Sequence, residues 1–412
     1  MNQMKSKLVI ALILISNVVL AQGSRTEQWK SDLTSYHQSL EQNHIDLYHQ
    51  IDRAELEKEL DTIHDAIEHL SDWAIAARLM KLTRRIGDGH TAVSLANWDT
   101  HSFPIGVEKV SNQWRLVKVP TDQSKMLGAS IETIDGVKIS DIEQKLSHVA
   151  QYVENYYSEV VRIGSYMPIG ELLHALSITK SPKKAVFGLR TIEGKELSLT
   201  LPAISKTQLE QGKYKYLNVT SEAVVKPQDA DFEYLWFAPI KDKNATYIRF
   251  DSYPRFEEMV PFAEKLFMYI TQNQSEQLVI DLRHNGGGDL YIGLVLANAL
   301  NLVDTVNWKN GVYVLTSGVT FSAGASNAAL FRQLLNATIV GTPTGSNPTG
   351  YQDMGEFVLP NSKLRITYSK RLFRLQETST NGVVPDILAK PEWSAYAKGV
   401  DNVLEEVINK LN

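Results

Sequence analysis

The chain has no cysteine. Disulfide bonds, cysteine nucleophiles and thiolate metal sites are therefore excluded from the start. This absence leaves the compartment open, because a large exported protein can rely on its core in place of disulfides. An excess of one charge sign is missing too. Forty-two Lys and Arg against 47 Asp and Glu give a formal net charge of -5, with neither a basic stripe nor an acidic tail, so no nucleic-acid partner is expected. No His-Glu-x-x-His or comparable ligand spacing occurs, so no metal and no other cofactor is expected. Repeats and low-complexity tracts are lacking, which removes the sequence cue for a structural or adaptor protein.

Long apolar runs occur in one place only, at the start. MNQMKSKLVIALILISNVVLAQ sets Lys5 and Lys7 ahead of an apolar stretch from Leu8 to Leu20, followed by a cleavage pattern that predicts a cut between Ala21 and Gln22. The stretch falls short of the about 20 residues that span a bilayer. Residues 1–21 thus read as a cleaved secretory signal, with a retained N-terminal anchor as the other reading, and the mature chain is expected in the periplasm or outside the cell. No cysteine follows the apolar run, so a lipid anchor has no attachment point, and no later run would insert stably in a membrane.

What remains is a globular chain of 412 residues, 43% hydrophobic and 22% charged, long enough for two or three domains. Residues 22–88 carry helical stripes: Trp29, Leu33, Tyr36, Leu40; Leu56, Leu60, Ile63, Ile67; and Ile75, Leu79, Leu82, Ile86, with Ser71 and Asp72 capping the last. They predict an N-terminal helical domain with core stripes and no chemistry. GDGHTAV follows, placing His90 on a tight loop between helix and strand; it suits a proton-transferring base, and equally a loop histidine without a role. Residues 89–205 turn to short β patterns, with WRLVKV as a strand and LGASIETIDGVKISDIEQKL as strand, Asp135-Gly136 turn, strand and helix. Residues 206–233 are polar and read as a linker. From 234 to 400, ATYIRF, an amphipathic helix from Phe256 and QLVIDLR give the strand, helix, strand order of a parallel crossover in an α/β core. Residues 401–412 read as a C-terminal helix.

Two stretches of this core carry chemistry. VIDLRHNGGGDL ends a strand in Gly286, Gly287 and Gly288, where bare backbone N–H groups can face a cleft and suit an oxyanion site; a plain turn is the other reading, and no Lys-Ser or Lys-Thr follows to make a phosphate loop. In TFSAGASNAAL the strand VYVLTS gives way at Gly318 to small residues that open a helix. Ser322 sits at that turn, beside amides with no intrahelical acceptor, where it is either a nucleophile or a helix N-cap.

The ordered set GDGHT, VIDLRHNGGGD, SAGASNAAL and ATIVGTPTG resembles the C-terminal processing and tricorn-like serine peptidases, over nearly the whole mature chain. The resemblance implies an α/β catalytic core of the crotonase or Clp-protease-like kind, a PDZ-like β-rich domain and a helical cap. It implies hydrolysis of a peptide or protein substrate through an acyl-enzyme, and it leaves a homo-oligomer open. In the processing branch the base is a lysine shortly after the Val-Gly step; aligning Val340-Gly341 puts Asn347 there, and asparagine is no base. The chain therefore resembles the histidine-using branch, with Ser322 as nucleophile, His90 as general base, and amides of Ala323, Gly286 and Gly287 as oxyanion donors. It departs from that branch at two positions. A serine is expected where Gly89 stands, and a glutamate where Ser379 stands; Glu377, two residues earlier, is the acid candidate for orienting His90. Without that glutamate, the alternative is a non-catalytic protein on the same scaffold that binds a peptide or a hydrophobic ligand.

Overall fold

The computed structural model describes residues 24–412, so the signal segment and its cut lie outside the described residues. Three helices open the fold, α1 (Arg25–Asn43), α2 (Arg53–Ala66) and α3 (Asp72–Arg84), each started by a side-chain cap. Ser24 accepts from the Glu27 amide, Asp52 from that of Glu55 and Ser71 from that of Ala74, which satisfies donors the helices leave unpaired. The stripes expected from the spacing are the buried faces, with Tyr36, Leu40, Leu56, Ile75 and Leu79 fully enclosed.

After α3 the chain turns through the His90 loop into a short buried strand, β1 (Ala92–Ser94). A seven-stranded sheet then occupies the stretch from Gly106 to Tyr216, built around β2 (Gln113–Pro120) and β3 (Ser130–Ile134). The Asp135-Gly136 turn is present with both residues at positive φ, 48° and 86°, the conformation of a two-residue hairpin that Gly and Asp tolerate best. Helix α4 (Tyr156–Tyr166) packs against the strand Gly106–Val110 of this unit. The stretch read as a linker is ordered at its start. Lys206–Gln211 is helical, and Tyr214–Tyr216 pairs with Lys118–Pro120 along the open edge of β2, so backbone hydrogen bonding overrides the polar composition there.

The α/β core holds a six-stranded sheet. Its strands are β4 (Leu235–Pro239), β5 (Ala245–Phe250), β6 (Gln277–Asp281), β7 (Val312–Thr316), β8 (Thr338–Gly341) and a final short strand, Ile387–Leu388. The first pair is antiparallel and the rest are parallel, as the crossover pattern requires. Helix α5 (Phe256–Gln272) links β5 to β6, α6 (Leu290–Asn301) precedes β7, and α7 (Ala323–Leu334) links β7 to β8.

A long hairpin, β9 (Thr349–Val358) and β10 (Arg365–Arg374), leaves the core and reaches back to the N-terminal helices. β10 pairs with β1 in the register Ala92 to Thr367, Val93 to Ile366 and Ser94 to Arg365. At the hairpin tip the fully buried Asp32 of α1 accepts from the Asn361 amide and side chain, both at 2.9 Å, and from the Ser362 amide at 2.7 Å. The helices, the seven-stranded sheet and the hairpin residues Leu359, Leu364 and Ile366 share one continuous apolar cluster, so the helical and β-rich segments do not have separate cores.

Candidate active site

Ser322 lies where the turn after β7 meets the first residue of α7. The turn is tied to the end of β6 on several sides: Thr320 Oγ1 donates to Leu282 O at 2.8 Å, Ser317 Oγ to Arg283 O at 2.6 Å, and the Phe321 amide to Asn285 O at 3.0 Å. Ser322 occupies the N-cap position with φ 51° and ψ -124°, yet its side chain makes no capping bond. A non-glycine residue at positive φ is strained and persists only where its surroundings hold it. Here the Ser322 amide donates to Ser346 Oγ at 2.7 Å, and the hydroxyl points instead at His90. The cap reading of the sequence is thereby set aside.

The small residues of α7 bring the glycine run close. A Cβ at Gly324 would lie 2.6 Å from Asn285 O, and one at Gly287 would lie 2.7 Å from the Ser322 Cβ and 3.3 Å from Ala323 N. Gly287 and Gly288 both stand at positive φ, 109° and 159°. The Gly287 amide donates to Asn285 Oδ1 at 3.0 Å and is therefore engaged, contrary to the expectation that it faces the cleft. The amides of Ala323 and Gly286 have no hydrogen-bond acceptor among the described residues.

His90 comes from a different part of the chain. Buried Asp88 shapes its loop: Oδ1 accepts from the amides of His90 at 3.0 Å and Thr91 at 2.8 Å and from Ser369 Oγ at 2.6 Å, while Oδ2 meets His44 Nε2 at 3.0 Å. His44 Nδ1 accepts from the Asp46 amide, so Nε2 carries the proton and donates to Asp88. Burial alone would push the Asp88 carboxyl up, but the hydrogen bonds from His44, Ser369 and Thr91 outweigh it and hold it down at about 2. The imidazole of His90 is 3% exposed and lies against Phe321, with ring centroids 5.4 Å apart. Its Nε2 shares a hydrogen bond with Ser322 Oγ at 3.0 Å, across 232 residues of sequence.

The acid beside His90 is one the sequence did not point to. His90 Nδ1 faces Glu154 Oε1 at 3.6 Å, and neither atom has another hydrogen-bond partner. Glu154 Oε2 accepts from the Asn347 amide at 2.7 Å. The residue stands just ahead of α4, where Asn155 caps the helix and Ser158 closes a capping box. Glu377, the expected acid, is exposed on the loop after β10 and makes no contact with His90. At the position where the family pattern carries glutamate, Ser379 accepts from Asn347 Nδ2 at 2.6 Å. Both departures of the sequence now have one physical reason. A Cβ at Gly89 would lie 2.5 Å from Glu154 Oε1 and 2.7 Å from Phe321 Cζ, so the space a serine would fill is taken by the acid. Asn347, at the lysine position of the processing branch, anchors that acid through its backbone.

Residues 297–389 match the family model of peptidase family S41. The matched stretch runs from within α6 through α7 and β8 to the final short strand of the α/β core. The match and the fold together support a serine-type peptidase, a hydrolase, as the class of this chain. Among solved structures, mature CPAF superposes with a TM-score of 0.66 at 15% identity, covering 92% of this chain and 96% of that one. Mature CPAF complexed with lactacystin gives 0.66 at 14% identity, with 93% and 98% covered. A photosystem II D1 C-terminal processing protease is a looser match, with a TM-score of 0.43 at 14% identity over 90% and 94% of the two chains. No curated protein matches the chain in sequence. At these identities the two CPAF superpositions speak for the fold alone. Among the described residues no helix is long and apolar enough to cross a membrane.

Proposed function

We propose that this S41 peptidase hydrolyses peptide bonds through an acyl-enzyme on Ser322, with His90 as general base and Glu154 as the acid that orients it. The observation that carries the reading is the 3.0 Å contact between His90 Nε2 and Ser322 Oγ, made by a serine held in a strained backbone conformation without a capping bond. Ser322 Oγ attacks the peptide carbonyl carbon while its proton passes to His90 Nε2. The carbonyl electrons move to oxygen, and the unengaged amides of Ala323 and Gly286 hold the resulting oxyanion. Collapse of the intermediate breaks the carbon–nitrogen bond, and His90 returns the proton to the leaving amine. Water then repeats the sequence to release the acid. Glu154 stabilises the imidazolium formed in each half-reaction, and its 3.6 Å separation from Nδ1 closes as charge develops there.

The finer assignments follow the same resemblance. The β-rich unit, with its glycine-led strand, turn and helix, acts as a PDZ-like module that can add an extended chain to a sheet edge. The N-terminal segment directs export, so the working compartment is the periplasm or the exterior.

The test is the intact mass of the mature protein after treatment with a fluorophosphonate, with Ser322→Ala and His90→Ala alongside. A single adduct on the wild type that is absent from both variants is the expected outcome, with peptide turnover reduced by about 10³-fold or more in each. A folded wild-type protein that forms no adduct would overturn the assignment.

A further inference from the structure

Helix α4 begins beside Glu154 and carries Arg162 further along. Arg162 lies one turn beyond Ser158 on the same helical face, and Ser158 packs against the catalytic core, with its Cβ 3.1 Å from where a Cβ on Gly345 would stand. The guanidinium carbon lies 5.7 Å from the ring centroid of Phe321 and 5.3 Å from that of Tyr152. Phe321 immediately precedes the nucleophile, and its ring also lies against His90. Arg162 is therefore one ring away from the catalytic base.

Within this aromatic cradle Nε approaches Tyr152 O at 3.5 Å, and neither Nη atom has an acceptor among the described residues. The carboxylates nearest in sequence are committed elsewhere, Glu159 to Arg84 at 3.3 Å and Glu154 to the Asn347 amide. Other described arginines without an acidic partner differ in kind. Arg78 and Arg374 are exposed, and Arg115 donates to Gly128 O and to Gln113. Arg162 is partly buried with no acidic counter-charge on it, and that burial draws its pKa down with only tyrosines opposing it. A guanidinium presents a planar fork that matches a carboxylate through two parallel hydrogen bonds, and flanking rings hold that plane.

Resting on the peptidase reading above, we propose that Arg162 is the specificity residue of the cleft and pairs with a carboxylate of the peptide substrate, supplied by an Asp or Glu side chain or by the free C-terminus. The test uses random-sequence decapeptide libraries in four forms, with free or amidated C-termini and with Asp and Glu included or omitted. Wild-type enzyme, Arg162→Gln and Arg162→Lys are compared by mass-spectrometric cleavage profiles, with folding read from thermal melts.

The wild type is expected to favour carboxylate-bearing peptides by about 10- to 100-fold, the range of a hydrogen-bonded charge pair. Loss of the preference on amidation identifies the terminal carboxylate; its loss on omitting Asp and Glu identifies a side chain at a fixed distance from the cut. Arg162→Gln should bring the ratio between arms towards one, and Arg162→Lys should keep part of it. Equal cleavage of all four libraries by a wild type that still forms the Ser322 adduct, or an unchanged ratio in folded Arg162→Gln, would overturn this proposal and leave the peptidase reading standing. A wild type that forms no adduct and cuts no library would instead overturn the peptidase reading on which it rests.

Discussion

Glu154 and His90 face one another with an unengaged atom each, in a site otherwise dense with hydrogen bonds. In a serine peptidase the acid fixes the imidazole tautomer and stabilises its protonated form, so its charge matters more than its bulk. Glu154→Gln keeps the bulk and the Asn347 contact, and we expect kcat to fall by about 10²- to 10⁴-fold while the fold persists. Glu377→Gln, at an exposed position, should stay within about two-fold of wild type. Steady-state kinetics on one peptide compare them directly, and a large loss in Glu377→Gln with none in Glu154→Gln would reverse the assignment. Ser322 and His90, which the structure brings into contact, each stood out in the sequence through their own neighbours: small residues after a strand, and glycines around a loop histidine. Glu154 carries no such mark. An orienting acid needs only to arrive within reach of Nδ1, any packed segment can deliver it, and the local pattern around Glu154 announces a helix cap and nothing else. The one trace it leaves is negative, in the glycine at position 89.

Among elements, the β9–β10 hairpin braces the His90 loop. Its second strand pairs with β1, which follows His90 within two residues, and its tip is fastened to α1 through Asp32. Removing a buried acceptor leaves its donors unsatisfied, at about 1–3 kcal/mol for such a group. Asp32→Ala is accordingly expected to lose about 3 kcal/mol of unfolding free energy, read as a lower denaturant midpoint at unchanged m-value. A midpoint equal to the wild type would show that the tip fastening is dispensable. The helices of this region were plain from their stripes, since periodicity is a local property. The pairing of residues 92–94 with 365–367 was not, because strand partnership depends on register between segments that no short window contains. The start of the supposed linker was misread for a related reason: a polar strand such as Tyr214–Tyr216 is stabilised by the edge it joins.

Across the whole molecule, the α/β core followed from the sequence, whereas the sharing of one apolar cluster by helices, β-rich sheet and hairpin did not. Asp88 links the scales, since it binds the His90 loop, His44 and the hairpin residue Ser369 together. Its folded pKa of about 2 lies below the ordinary aspartate value of 3.8, so its contribution to stability is present in full above that value and is lost as pH falls towards 2. Asp88→Asn should flatten the acid limb of a plot of unfolding free energy against pH between those values, besides lowering stability overall; an acid limb parallel to the wild type would exclude Asp88 as its source. The 232 residues that separate His90 from Ser322 also set a clock. A chain emerging from the ribosome or threading through a pore displays His90 early, Ser322 late and the hairpin that braces them later still. The proposed site can therefore close only once nearly the whole polypeptide is free to make these distant pairings, the kind of long-range contact that forms late in folding.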